Sequence, residues 1–116
     1  MKTPKILNEL SRDNICYFES ASNYTFLHLK GGSRILSGYT IKHFQEILSS
    51  EYFVRINRSK FINIAFIRKT VLQNNAYAVQ LKNGQKINIS RRRLEKIKVG
   101  FPNLFDPISQ SKTAID

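Results

Sequence analysis

Three short segments of this chain carry side chains suited to phosphates and to the edges of bases. The most informative is Ser90-Arg91-Arg92-Arg93, at the start of a predicted helix. Free backbone N–H groups make a helix N-terminus partially positive, so each cation there typically costs about 0.3–1 kcal/mol. Three consecutive arginines are a poor choice for stability alone. They suit a site where a phosphate docks, because N–H donors and guanidinium groups converge on it. Lys96 and Lys98 would extend such a phosphate track. The plain alternative is a solvated basic run with no ligand.

A second segment is Arg55-Ile56-Asn57-Arg58-Ser59-Lys60. Alternation turns Arg55 and Asn57 away from Ile56, and Arg58, Ser59 and Lys60 fall in the following turn. A rigid strand end of this kind can present an arginine fork to guanine O6 and N7. An exposed basic turn is the competing account. The third segment, Ser20-Ala21-Ser22-Asn23-Tyr24-Thr25, is a polar loop between two strands. Asparagine can pair its amide with adenine, and hydroxyls can reach phosphates. The same residues are also ordinary turn formers.

Catalytic chemistry finds no comparable support. His28 and His43 lie outside any metal-ligand spacing, and there is neither a GxSxG elbow nor a phosphate-binding GxxxxGK[ST] loop. Cys16, the single cysteine, sits in an apolar stretch and excludes an internal disulfide or a multi-cysteine zinc site. The expectation is a chain with no catalytic residues, metal or cofactor.

The charge distribution points the same way. Of 116 residues, 19 are Lys or Arg and 8 are Asp or Glu, a net charge of +11. Residues 54–100 alone carry twelve cations against Glu95, while the segments before and after them nearly balance. Like charges packed in one domain disfavour the compact state unless a polyanion relieves them. Nucleic acid is the commonest such partner and an anionic membrane surface the next. No apolar run approaches the roughly 20 residues that span a bilayer, and no secretory signal opens the chain, so a cytoplasmic location is expected.

Positioning these segments requires a mainly β domain. Strands are predicted at Asn14–Phe18, Tyr24–Leu29, Ser33–Ser37, Phe53–Asn57, Lys60–Ile64, Ile67–Gln73, Ala76–Leu81 and Lys86–Ile89. Gly31-Gly32, Asn74-Asn75 and Asn83-Gly84 supply hairpin turns. Thr40 caps a helix to about Ser49 with Ile41, Phe44, Ile47 and Leu48 inward, and Ser90 caps a second with Leu94, Ile97 and Phe101 as its buried edge. Residues 1–13 form a lead-in, 14–101 the domain, and 102–116 a flexible tail.

The three segments, in this order among these strands, resemble the LytTR family of bacterial DNA-binding domains. The resemblance runs through Ile15–Ser20, Asn23-Tyr24-Thr25, Ser37, the helix Ile41–Leu48, Phe53–Ser59, Phe61-Ile62-Asn63, Ile67, Leu81–Gly84 and Ile89–Arg93. It implies an elongated antiparallel β-fold with two short helices that reads double-stranded DNA through loops in successive major grooves. By motif position the implied DNA contacts are Asn23, Asn57, Arg58 and Arg92. Arg58 and Arg92 are assigned to base edges with Asn23 as a third reader, and Tyr24, Lys60, Arg91, Arg93 and Lys96 to phosphates. The family further suggests a transcription regulator on two short direct repeats, one protomer each, pairing on DNA with weak or no association in solution. Ser22 stands where a glycine often precedes the Asn-Tyr-Thr piece. About 14 residues precede the first strand, where family members usually carry a receiver domain, leaving a free-standing regulator or a fragment of a longer one. A basic RNA-binding module is the alternative. It would present exposed aromatics for base stacking, whereas Phe44, Phe53, Phe61 and Tyr77 fit core positions.

Overall fold

The computed structural model describes residues 4–48 and 50–105, with the backbone alone for Asn8 and Glu9. The chain forms two compact units, Met1–Ile64 and Ala65–Asp116. The first opens with a short helix α1 (Ile6–Glu9) and a 3-10 turn at Arg12–Asn14. It continues through β1 (Ile15–Ala21), β2 (Tyr24–Leu29), β3 (Arg34–Ser37), helix α2 (Ile41–Ile47), β4 (Phe53–Asn57) and β5 (Lys60–Asn63). These strands form one antiparallel sheet in the order β3-β2-β1-β5-β4.

Alternation along β1 sends Phe18 into the core, where its ring centroid lies 4.7 Å from Phe44, 5.5 Å from Phe61 and 5.6 Å from Phe53. Leu7 of α1, Leu27, Ile41 and Leu48 complete this apolar cluster. Thr40 caps α2 as predicted, its Oγ1 accepting the His43 N–H at 3.2 Å. The helix ends at Ile47 with Leu48 as its C-cap, and Ser49 lies outside the described residues. Two buried polar side chains are satisfied by backbone carbonyls. Thr25 Oγ1 donates to Tyr39 O at 2.7 Å, and Asn63 Nδ2 donates to Ile15 O at 2.9 Å.

The second unit holds β6 (Ile67–Gln73), β7 (Ala76–Leu81) and β8 (Lys86–Asn88), an antiparallel sheet in chain order, then helix α3 (Arg91–Gly100). Val79, Leu81, Ile87, Ile89 and Ile97 are buried, while Leu94 and Phe101 are half-buried. A 3-10 turn at Pro102–Phe105 follows, with Phe105 edge-on to Tyr77 at 5.4 Å and the Lys98 ammonium 5.1 Å from the Tyr77 ring centroid. The rest of the expected tail, residues 106–116, lies outside the described residues.

Hairpin chemistry differs from turn to turn. Asn74 and Asn75 both take positive φ, 51° and 65°, the pattern of a two-residue primed turn. Asn83-Gly84 belongs instead to a three-residue loop: Gly84 N–H donates to Leu81 O, Leu81 N–H donates to Gln85 O, and Gly84 takes φ 94°. Lys30-Gly31-Gly32 repeats that design, with Gly32 also at φ 94°. Left-handed backbone is natural to glycine and unfavourable for other residues.

Truncating the central ring tests this account of the core. Phe18→Ala is expected to cost about 3–5 kcal/mol in urea unfolding, while Leu72→Ala, 58% exposed, stays within about 0.5 kcal/mol.

Candidate nucleic-acid interface

Strand β1 is paired on both sides, and this sets where two of the three segments lie. Glu19 faces Phe26 of β2 and Lys60 of β5, and Ser20 N–H donates to Ser59 O at 2.9 Å. The β1–β2 turn at Ser22-Asn23 and the β4–β5 turn at Arg58-Ser59 therefore sit side by side at one end of the five-stranded sheet. Asn23, Tyr24 and Arg58 are exposed there, and Asn57 and Lys60 are half-buried. Ser22 takes φ 60°, the left-handed conformation that the usual glycine would adopt without strain.

The second turn is held by side chains. Asn57 Oδ1 accepts the Ser59 N–H at 2.9 Å and lies 3.3 Å from Ser59 Oγ, so this oxygen shapes the loop. Arg55 donates from Nε to Asn57 O at 2.9 Å, from Nη1 to Gln45 Oε1 at 2.7 Å, and from Nη2 to Arg58 O. The sequence places Arg55 in the second basic segment but gives it no role in holding the turn, and Gln45 does not stand out at all. Composition does not reveal these three contacts, to two backbone carbonyls and a side chain ten positions away.

Lys60 is engaged as well. Its Nζ lies 3.1 Å from Glu19 Oε2, while the other carboxylate oxygen is 2.8 Å from His28 Nε2. An ionised carboxylate only accepts, so Nε2 carries the proton there. The His28 ring stacks on Tyr17 at 4.2 Å. Burial works against the charged form of Glu19, but hydrogen bonds from His28 and Lys60 and their nearby charge outweigh it. The Glu19 pKa is therefore lowered. Burial pushes the Cys16 thiol up, keeping it in its unreactive protonated form.

The third segment belongs to the second unit. Ser90 has the extended backbone of a capping residue, yet its side chain makes no capping bond, and the first turn of α3 holds no acidic residue. Arg91 and Arg92 are exposed and Arg93 is half-buried. Exposed Lys96 stands one turn beyond Arg92, so the two share a helix face. Among the described residues none of these four cations forms an ion pair with a carboxylate, and no group of acidic, histidine or cysteine side chains could hold a metal.

Residues 7–100 match the family model of the LytTr DNA-binding domain. The chain belongs to the LytTR family. It is thereby a DNA-binding domain of a family that is not one of enzymes. The same fold occurs in the LytTr DNA-binding domain of a Bacillus cereus protein described as a methyl-accepting/DNA response regulator. That match has a TM-score of 0.69 at 17% identity, covering 76% of this chain and 81% of that one. No curated protein sequence matches. No described helix of this LytTR domain is long and apolar enough to cross a membrane.

The lowered Glu19 pKa carries a signed prediction. A carboxyl more acidic in the folded state stabilises the fold above its unfolded pKa, about 4.3, and loses that contribution as pH falls through the folded value. Glu19→Gln should therefore be less stable than the parent at pH 7, with the gap narrowing as pH drops below about 4.3. Urea midpoints measured across that range check this.

Proposed function

We propose that this LytTR domain reads double-stranded DNA sequence-specifically as part of a cytoplasmic bacterial transcription regulator. Arg58 and Arg92 contact base edges in the major groove, with Asn23 as a third reader. Tyr24, Arg91, Arg93 and Lys96 contact phosphates, which set register without carrying sequence information. Lys60 joins them by sharing its ammonium between Glu19 and the backbone of the duplex. Asn57 lies at the same surface and shapes the turn that presents Arg58. Two copies occupy two short direct repeats, pairing on the DNA rather than in solution.

The observation that carries this reading is the convergence of the Asn23 and Arg58 turns at one end of the sheet. The arginine-rich start of α3 supports it, since a helix start with no side-chain cap and three arginines in its first turn suits a phosphate. The aromatic complement favours DNA over RNA: Phe18, Phe44, Phe53 and Phe61 are buried and unable to stack on bases.

The test begins with selection of bound sequences from a random duplex library, where a short direct repeat should be enriched. Affinity for the selected duplex should fall with salt at a log–log slope of about −0.9 per phosphate contacted. Arg92→Ala should lose about 1–3 kcal/mol on that duplex and narrow its advantage over random DNA. Lys96→Ala should weaken both alike. Uniform weakening by Arg92→Ala would instead make Arg92 a phosphate contact.

A further inference from the structure

The β4–β5 turn is built differently from the other two-residue turns of this fold. Asn57 pairs with Lys60, leaving Arg58-Ser59 as a two-residue connection. Connections this short match strand twist best with positive φ at one or both central residues. Ser22 provides it in the β1–β2 turn, and Asn74 and Asn75 provide it in the β6–β7 turn. Arg58 and Ser59 do not. The sheet register also shifts between Arg55 and Asn57, a bulge-like irregularity immediately before the turn. Backbone preference thus leaves this loop under-determined, and its shape depends on side chains.

Asn57 Oδ1 supplies part of the missing constraint by accepting the Ser59 N–H, and Arg55 supplies the rest. Its guanidinium reaches the carbonyls of two successive turn residues, Asn57 and Arg58, and also Gln45 on α2. Gln45 in turn follows Phe44, which is fully buried against Phe18. A continuous chain of contacts runs from the aromatic core through α2 and Arg55 to the backbone of Arg58. Three different guanidinium nitrogens meet the three acceptors in fixed directions, whereas a lysine ammonium has its three donors on one nitrogen at the end of a flexible stem.

We infer that Arg55, braced by Gln45, is a positioning residue that sets the aim of Arg58 and so tunes sequence discrimination without itself touching DNA. The inference rests on the proposed role of Arg58 as a base reader. It differs from a general fold-stabilising role because its effect must pass through the Arg58 side chain.

A double-mutant cycle separates these possibilities. Arg55→Lys, Gln45→Ala and Arg58→Ala, singly and as the two pairs with Arg58→Ala, are titrated with the selected duplex and with a random duplex of equal length. Arg55→Lys should lower affinity for the selected duplex about tenfold, and Gln45→Ala about threefold, with random-duplex binding held within about twofold. In the Arg58→Ala background both losses should shrink below about twofold. Equal losses in both backgrounds, or equal losses on both duplexes, overturn the positioning role and make Arg55 a direct DNA contact or a fold element. If Arg58→Ala alone leaves the selected-to-random ratio unchanged, the reading of Arg58 itself fails, a result distinct from additivity. Gln45 lies on an exposed helix position, so its arm of the cycle decides the matter even if Arg55→Lys unfolds the domain.

Discussion

The arrangement depends on strand β1 being hydrogen-bonded on both sides. Because β2 and β5 both run antiparallel to it, the turn leaving β1 and the turn entering β5 must emerge at the same end. That pairing is held in register by burial. A one-residue slip would move Phe18 out of the aromatic cluster and set Tyr17, which stacks on His28 on the other face, in its place. The core and the candidate interface are thus consequences of one register. The Glu19 carboxylate reinforces it at the same end, joining His28 of β2 to Lys60 of β5.

Charge is the second constraint. A net +11 on 116 residues penalises compactness, and the arginines of α3 stand where the helix field is least favourable to them. A polyanion bound at the proposed α3 contacts would remove both penalties together. The two candidate surfaces differ in how they are prepared. The sheet-end loops are shaped by internal hydrogen bonds, whereas α3 offers an uncapped helix start with exposed cations.

Much of this was legible from residue order. Phe53–Asn57, Ile67–Gln73 and Ala76–Leu81 match the predicted strands residue for residue, because β-branched and aromatic runs broken at asparagines are a local signal. Asn23, Tyr24, Asn57, Arg58 and Lys60 were each recognisable by type, but their convergence was not, since it arises from pairings between distant strands. Helix α1 escaped notice because four residues carry no periodicity, although its Leu7 enters the core. The division after Ile64 falls at a 3-10 turn within an apolar stretch, with no Gly- or Pro-rich linker to mark it. Arg55 is legible as a donor of the second segment, but its hold on the turn is not, because bonds to backbone carbonyls leave no trace in composition. Ser90, expected to cap α3 with its hydroxyl, begins the helix without doing so. The residue type suits a cap, but the Arg93 N–H bonds the Ser90 carbonyl instead of its hydroxyl.

The central claim is that the sheet-end turns and the start of α3 are the surfaces that meet DNA. Backbone amide spectra of the 15N-labelled chain, titrated with the selected duplex, test it most directly. The account predicts the largest shifts at Ser22–Tyr24, Asn57–Lys60 and Ser90–Lys96, with Asn74 and Asn75 in the β6–β7 turn unmoved. Shifts centred on Asn74-Asn75, with the sheet-end turns silent, would contradict it.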